Sequence, residues 1–145
     1  MALAEDFFSI SEETEIVQAI KEAEENTSGE IRVHLEGHTS LPVFERAKEV
    51  FFHLNMDKTA DRNGVLFYLA IENKSFVIIG DEGINQKVEA DFWDSIKNSV
   101  IEYFKIADFK TGLITGILNT GEKLKAHFPY QEDDIDELPN EISKG

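Results

Sequence analysis

The chain has 145 residues, 41% of them hydrophobic, which is enough for one domain with a real core. Its 29 acids against 14 bases leave a net charge of −15, which repels phosphate backbones and anionic lipid surfaces. Nucleic acid and membrane are thereby disfavoured as partners, and a cation or a basic protein surface is favoured. The absence of cysteine excludes disulfides, thiolate nucleophiles and cysteine zinc sites. No run approaches the ~18 apolar residues of a membrane span, and Met1–Asp6 has neither the basic region nor the apolar segment of a leader, so the expectation is a cytoplasmic protein.

Near the start, Ser9 and Glu12 stand at the spacing of a capping box. Ile16, Val17, Ile20 and Ala23 then recur at helical intervals, which predicts a helix from about Glu12 to Glu25 with an acidic outer face. Asn26-Thr27-Ser28-Gly29 ends it. Glu30–Glu36 alternates strictly, with Ile31, Val33 and Leu35 on one side, the pattern of a strand with one less buried face and a place near the sheet edge. His34 and His38 are four apart, but one falls in this strand and the other in the loop, so they read as a surface pair.

Pro42 suits the first turn of a second helix whose inner stripe is Val43, Ala47, Val50 and Leu54. Two apolar runs follow, Val65–Ile71 and Phe76–Ile79, joined by the polar turn Glu72-Asn73-Lys74-Ser75. Near-continuous hydrophobicity predicts a hairpin of strands covered on both faces. Strand, helix, strand implies that the Glu30 and Val65 strands run parallel. Asp91 and Asp108 are plausible caps for two further helices, over Phe92–Phe104 and Phe109–Leu124. In the second of these Gly112 and Gly116 share a face, which calls for close approach of another element to offset their helical cost. Beyond Pro129 the stretch QEDDIDELPNEISKG reads as a disordered acidic tail, residues 131–145, after one domain over residues 1–130. The elements together predict an α/β chain, a mixed sheet of at least three strands with helices on both faces.

Strand direction locates the candidate chemistry. The start of the first hairpin strand lies beside the end of the second, and a parallel first strand starts at the same end. Glu30, Asp61, Asn63, Asp81 and Glu82, with Thr27 and Ser28, should therefore meet there. Such an oxygen-rich set suits Ca²⁺ or Mg²⁺, and a divalent cation would relieve repulsion among the clustered carboxylates. The alternative is a set of ordinary loop residues in which Arg62 neutralises an acid. The segment from Asp57 is not an EF-hand loop, because its glycine comes two positions late and Tyr68 stands where the closing glutamate belongs. No phosphate-binding loop, dinucleotide fingerprint or nucleophile elbow is present.

The stretches Thr27–Val33, Arg62–Leu66, Phe76–Ile84 and Asp108–Leu113, in that order, resemble the TPM domain family over nearly the whole predicted domain. The resemblance implies a three-layer α/β/α sandwich with a Rossmann-like mixed sheet that often binds a divalent cation, and the family includes members described as an acid phosphatase or as a receptor modulator. Many members carry a Gly-aromatic-Gly turn where this chain has Gly80-Asp81-Glu82-Gly83. That departure favours a cation site and weakens a transfer of phosphatase activity. The expected function is a monomeric Ca²⁺- or Mg²⁺-binding module for interaction or regulation, with another protein as a further partner; the alternative is a metal-assisted phosphomonoesterase using Arg62 for phosphate oxygens.

Overall fold

Ser9 begins the first long helix as its spacing predicts. Its hydroxyl accepts from the Glu12 amide at 3.1 Å while the Glu12 carboxylate accepts from the Ser9 amide at 3.0 Å. The computed structural model describes residues 3–130 and 138–145. In chain order these form α1 (Leu3–Asp6), α2 (Ile10–Glu24), β1 (Glu30–Glu36), α3 (Val43–His53), a short 3₁₀ turn (Met56–Lys58), β2 (Gly64–Ala70), β3 (Ser75–Gly80), α4 (Glu82–Asn85), α5 (Phe92–Phe104), α6 (Phe109–Leu124) and β4 (Ser143–Lys144). No helix among the described residues is long and apolar enough to cross a membrane.

The sheet has the order β3-β2-β1-β4, with β2 antiparallel to β3 and β1 parallel to both β2 and β4. Side chains alternate across it, so each strand serves two cores. Ile31, Val33, Leu35, Val65, Phe67 and Leu69 pack under α2, α5 and α6. Leu66, Tyr68 and Ala70 point the other way, against Ala47, Val50 and Phe51 of α3. The result is the expected α/β/α arrangement, with a mixed sheet between helices.

Helix packing accounts for the α6 glycines. A Cβ on Gly112 would lie 2.7 Å from the Phe104 ring, and one on Gly116 would lie 2.5 Å from Val100 Cγ2 and 2.9 Å from the Phe67 ring. Their lack of a side chain lets α5 and the sheet close on α6, as the shared face implied.

Three features depart from the sequence reading. β1 is an interior strand, not a near-edge one, and all seven of its residues are buried. β3 is the edge, so Val77 and Ile79, expected to be well covered, are only half-buried. The third departure explains the first. Residues 138–145, assigned to a disordered tail, lie along β1: Leu138 is buried, and Ser143 and Lys144 pair with His34 and Leu35. The Gly145 amide donates to the Leu35 carbonyl at 2.8 Å, and the Gly37 amide donates to the Gly145 carbonyl at 3.1 Å. The acids of the predicted tail, nearly all of them before Leu138, hid the apolar anchors of this segment, Leu138 and Ile142, which reach opposite faces of the sheet. The rest of the predicted tail, 131–137, lies outside the described residues.

Candidate functional site

Register brings the expected loops to one end of the sheet. Glu30 pairs with Gly64 and Val65 with Gly80, so β1 and β2 begin where β3 ends. Backbone bonds join the three loops: Glu30 N–H to the Asn63 carbonyl (3.2 Å), Asp81 N–H to the Gly64 carbonyl (2.9 Å) and Gly83 N–H to the Arg62 carbonyl (2.9 Å). Gly83 is required by this closeness, because a Cβ there would collide with the Asp61 carbonyl oxygen and sit 2.5 Å from that of Arg62.

The side chains centre on Arg62, held in the left-handed region at φ 50°. Its Nε donates to Asp81 Oδ2 at 2.7 Å and its Nη2 to Asp81 Oδ1 at 2.9 Å, a bidentate fork, while Nη1 reaches Glu82 Oε1 at 3.1 Å. Hydrogen bonding to Asp81 raises the guanidinium pKa, opposed by some desolvation and helped by the charges of Asp81 and Glu82. Asp81 also caps α4, accepting from the Glu82 amide at 2.8 Å. Asp81 is buried, whereas Glu82 and Asp61 are exposed. Asn63 is buried, its Nδ2 3.4 Å from the Ser28 hydroxyl. Thr27 donates to the Phe128 carbonyl and accepts from the Gly29 amide at 3.1 Å, which fixes the loop before β1.

Glu30 begins β1 at this end, but its carboxylate serves another element. Oε1 accepts from the Leu138 amide at 2.6 Å, on the α3 face of the sheet. The structure thus brings Asp81 and Glu82 together around Arg62, with Asp61 and Asn63 on the adjoining loop, and turns Glu30 toward the C-terminal segment. The donors are all oxygen, the chemistry that Ca²⁺ and Mg²⁺ take. The arrangement is that of an arginine-compensated pair, and no group of three or more acidic or histidine side chains stands at metal-holding distances among the described residues.

A second polar cluster was not foreseen. His34, read as one of a surface pair, is 5% exposed, while His38 is exposed and lies 3.7 Å from Glu72. His34 Nδ1 is 2.9 Å from Ser143 Oγ and Nε2 is 3.4 Å from Glu36 Oε2. Glu36 also accepts from Arg46 Nε at 2.5 Å and from the Tyr68 hydroxyl at 3.2 Å. Burial lowers the His34 pKa despite the nearby Glu36 charge. For Glu36, burial acts upward but is outweighed by Arg46 and His34, which hold its carboxyl below the usual range. Burial, reinforced by Glu36, pushes the Tyr68 hydroxyl up. The signal was present in the alternating Glu30, Arg32, His34 and Glu36: a charged strand face is either wet or met by partners, and here Ser143, Arg46 and Leu138 meet it.

A mixed sheet between helical layers, with polar loops gathered at one sheet end, defines an α/β/α domain with a loop-built site. The TPM domain family model matches residues 3–123, and the chain belongs to that family. It is similar to the BA42 protein of the psychrophilic bacterium Bizionia argentinensis, with 55% identity, 97% of each chain covered and a TM-score of 0.93. The N-terminal domain of a P. gingivalis protein shares the fold at 15% identity and a TM-score of 0.69, over 88% of this chain and 83% of that one. The N-terminal domain of the cg2496 protein from Corynebacterium glutamicum does so at 14% identity and a TM-score of 0.65, over 95% and 80%. None of the curated proteins matches the chain.

Proposed function

We propose that this TPM domain binds a divalent cation, Ca²⁺ or Mg²⁺, at the loop end of its sheet and acts in the cytoplasm as an interaction or regulatory module. The observation that carries the reading is the pairing of Asp81 and Glu82 with a single arginine, Arg62, on a loop that also carries Asp61 and Asn63. Asp81 and Glu82 would hold the ion, with Asp61 and Asn63 as supporting oxygen donors, while Glu30 Oε1 stays with the Leu138 amide. Arg62 stands where positive charge is wanted, and its side chain is 38% exposed, so it can swing into water and leave its carboxylates to a cation. Such an exchange would move the Asp61–Gly64 and Gly80–Gly83 backbones, which are bonded together, and so alter the surface offered to a protein partner.

A second reading, a metal-assisted phosphomonoesterase, is favoured by the same arginine. Released from Asp81, the guanidinium could take two phosphate oxygens. Arg62 is its sole local cation in the stretch Asp61–Gly83 apart from Lys74 in the hairpin turn, which is little positive potential for a phosphate pocket.

The test is thermal unfolding with and without CaCl₂ or MgCl₂, alongside hydrolysis of a generic phosphate monoester. Cation at a hundredfold excess over Kd should stabilise the fold by about 2.7 kcal/mol. The D81N/E82Q variant should lose that response. A variant that retains it overturns the site, and metal-dependent ester hydrolysis by the parent chain would replace the module with the enzyme.

A further inference from the structure

The opposite end of the sheet carries a different feature. Between the β2–β3 turn, the C-terminal half of α5 and the start of α6 lies a pocket of about 420 Å³. Phe7, Ile71, Phe76, Ile101, Phe104 and Phe109 give it an almost wholly apolar wall. Most of these are half-buried rather than covered, so apolar surface faces the opening. The rings already satisfy one another: Phe7 to Phe109 at 5.2 Å, Phe109 to Phe104 at 5.1 Å and Phe104 to Phe76 at 5.2 Å between centroids. That chain of tilted and edge contacts leaves a fixed greasy cleft.

Leu69, Ser75, whose hydroxyl donates to the Asn73 carbonyl, and the exposed Lys74 and Lys105 complete the lining. Both lysines stand in the wall of an apolar pocket in a chain of net charge −15, and no acidic side chain is among the described residues of that wall. Lys105 is engaged with Glu102 at 3.3 Å, an exposed pair that a better anion can displace at little cost. The volume lies in the range of small-molecule sites and toward its lower end. Separation from the Arg62 loops is the length of β3, six residues or roughly 17 Å, so the two sites are independent.

We propose that this pocket binds a medium-chain aliphatic carboxylate, its chain among the phenylalanines and its head between Lys74 and Lys105. A flexible chain suits a wall of rings that offers no unpaired polar group for orientation. A single negative charge matches the two lysines, of which one already serves Glu102.

The test titrates sodium decanoate, below its micelle concentration and without metal, into the isotope-labelled full chain and follows amide and methyl signals. Saturable binding of one ligand per chain is expected, with shifts at Leu69, Ile71, Phe76 and Ile101. Across octanoate, nonanoate and decanoate, each methylene should tighten binding roughly fourfold. The variant K74Q/K105Q, altered at two exposed positions, should bind decanoate about tenfold more weakly and decan-1-ol unchanged. Absence of saturation, or shifts placed elsewhere, overturns the site. Equal affinity of the parent chain for decanol and decanoate overturns the carboxylate. Concentration-dependent changes at the same signals without ligand would assign the pocket to a second copy of the chain instead.

Discussion

Leu138→Ala tests whether the C-terminal segment belongs to the fold. Leu138 is 7% exposed and sits in the α3-side core with Leu66, Tyr68 and Met56. Truncating a buried leucine costs about 2–5 kcal/mol, and its place at the margin of this core argues for the lower part, about 2–3 kcal/mol. For a domain of this size each kcal/mol moves the melting temperature by about 3–4 °C, so a loss of roughly 6–12 °C is expected. Deleting residues 131–145 should cost more, because it also removes the β4 pairing and the Ser143 hydroxyl beside His34. The assay is thermal unfolding by circular dichroism at pH 7, with Glu122→Gln, an exposed change, as the control expected within about 0.5 kcal/mol. A shift under 2 °C for both L138A and the deletion would refute the docked segment.

Acid should destabilise the fold through the buried cluster. The His34 pKa is lowered on folding, so the unfolded chain binds more protons; its contribution is present above about pH 6.5 and is lost as pH falls below it, by up to about 1.4 kcal/mol per pH unit. Glu36, also lowered, adds a loss below about pH 4.3. Denaturant unfolding at pH 7 and pH 5.5 should show the first loss, and His34→Gln should flatten it; an unchanged slope contradicts the buried assignment. Gly83→Ala should destabilise by about 1–3 kcal/mol, since its Cβ meets backbone carbonyls that cannot rotate away, and should displace the Asp61–Gly64 amide signals. Gly116→Ala should also cost about 1–2 kcal/mol, overpacking against Val100 and Phe67 exceeding the gain in helix propensity, as chemical denaturation would show.

Periodicity carried the helices, the hairpin and the parallel β1–β2 pair, because amphipathic spacing and cap residues act locally. Register then placed Glu30, Asp61 and Asp81 at one sheet end without any side-chain detail. What it could not show was how the carboxylates are spent. The fork from Arg62 to Asp81 depends on a left-handed φ at Arg62, and the turn of Glu30 toward Leu138 depends on a segment 108 residues away. The same long-range pairing reversed the reading of β1. Alternation reports which face is polar, and the polar face of β1 is buried because Ser143, Arg46 and the Leu138 amide come to meet it. Acidic composition hid that segment, since charge marks solvation more reliably than it marks the few apolar anchors that decide docking. The arginine fork also bears on the D81N/E82Q variant. Its carboxylates are already compensated, so neutralising them should not raise the melting temperature of the metal-free chain.

The most direct test of the proposed cation site is an amide NMR titration of the full chain with Ca²⁺ and then Mg²⁺. Saturable shifts are expected at Asp61–Gly64 and Gly80–Gly83, weakening as pH falls toward the carboxylate range and absent from D81N/E82Q. Shifts confined to the acidic face of α2 or to residues 132–137, with the Arg62 loops unmoved, would contradict it.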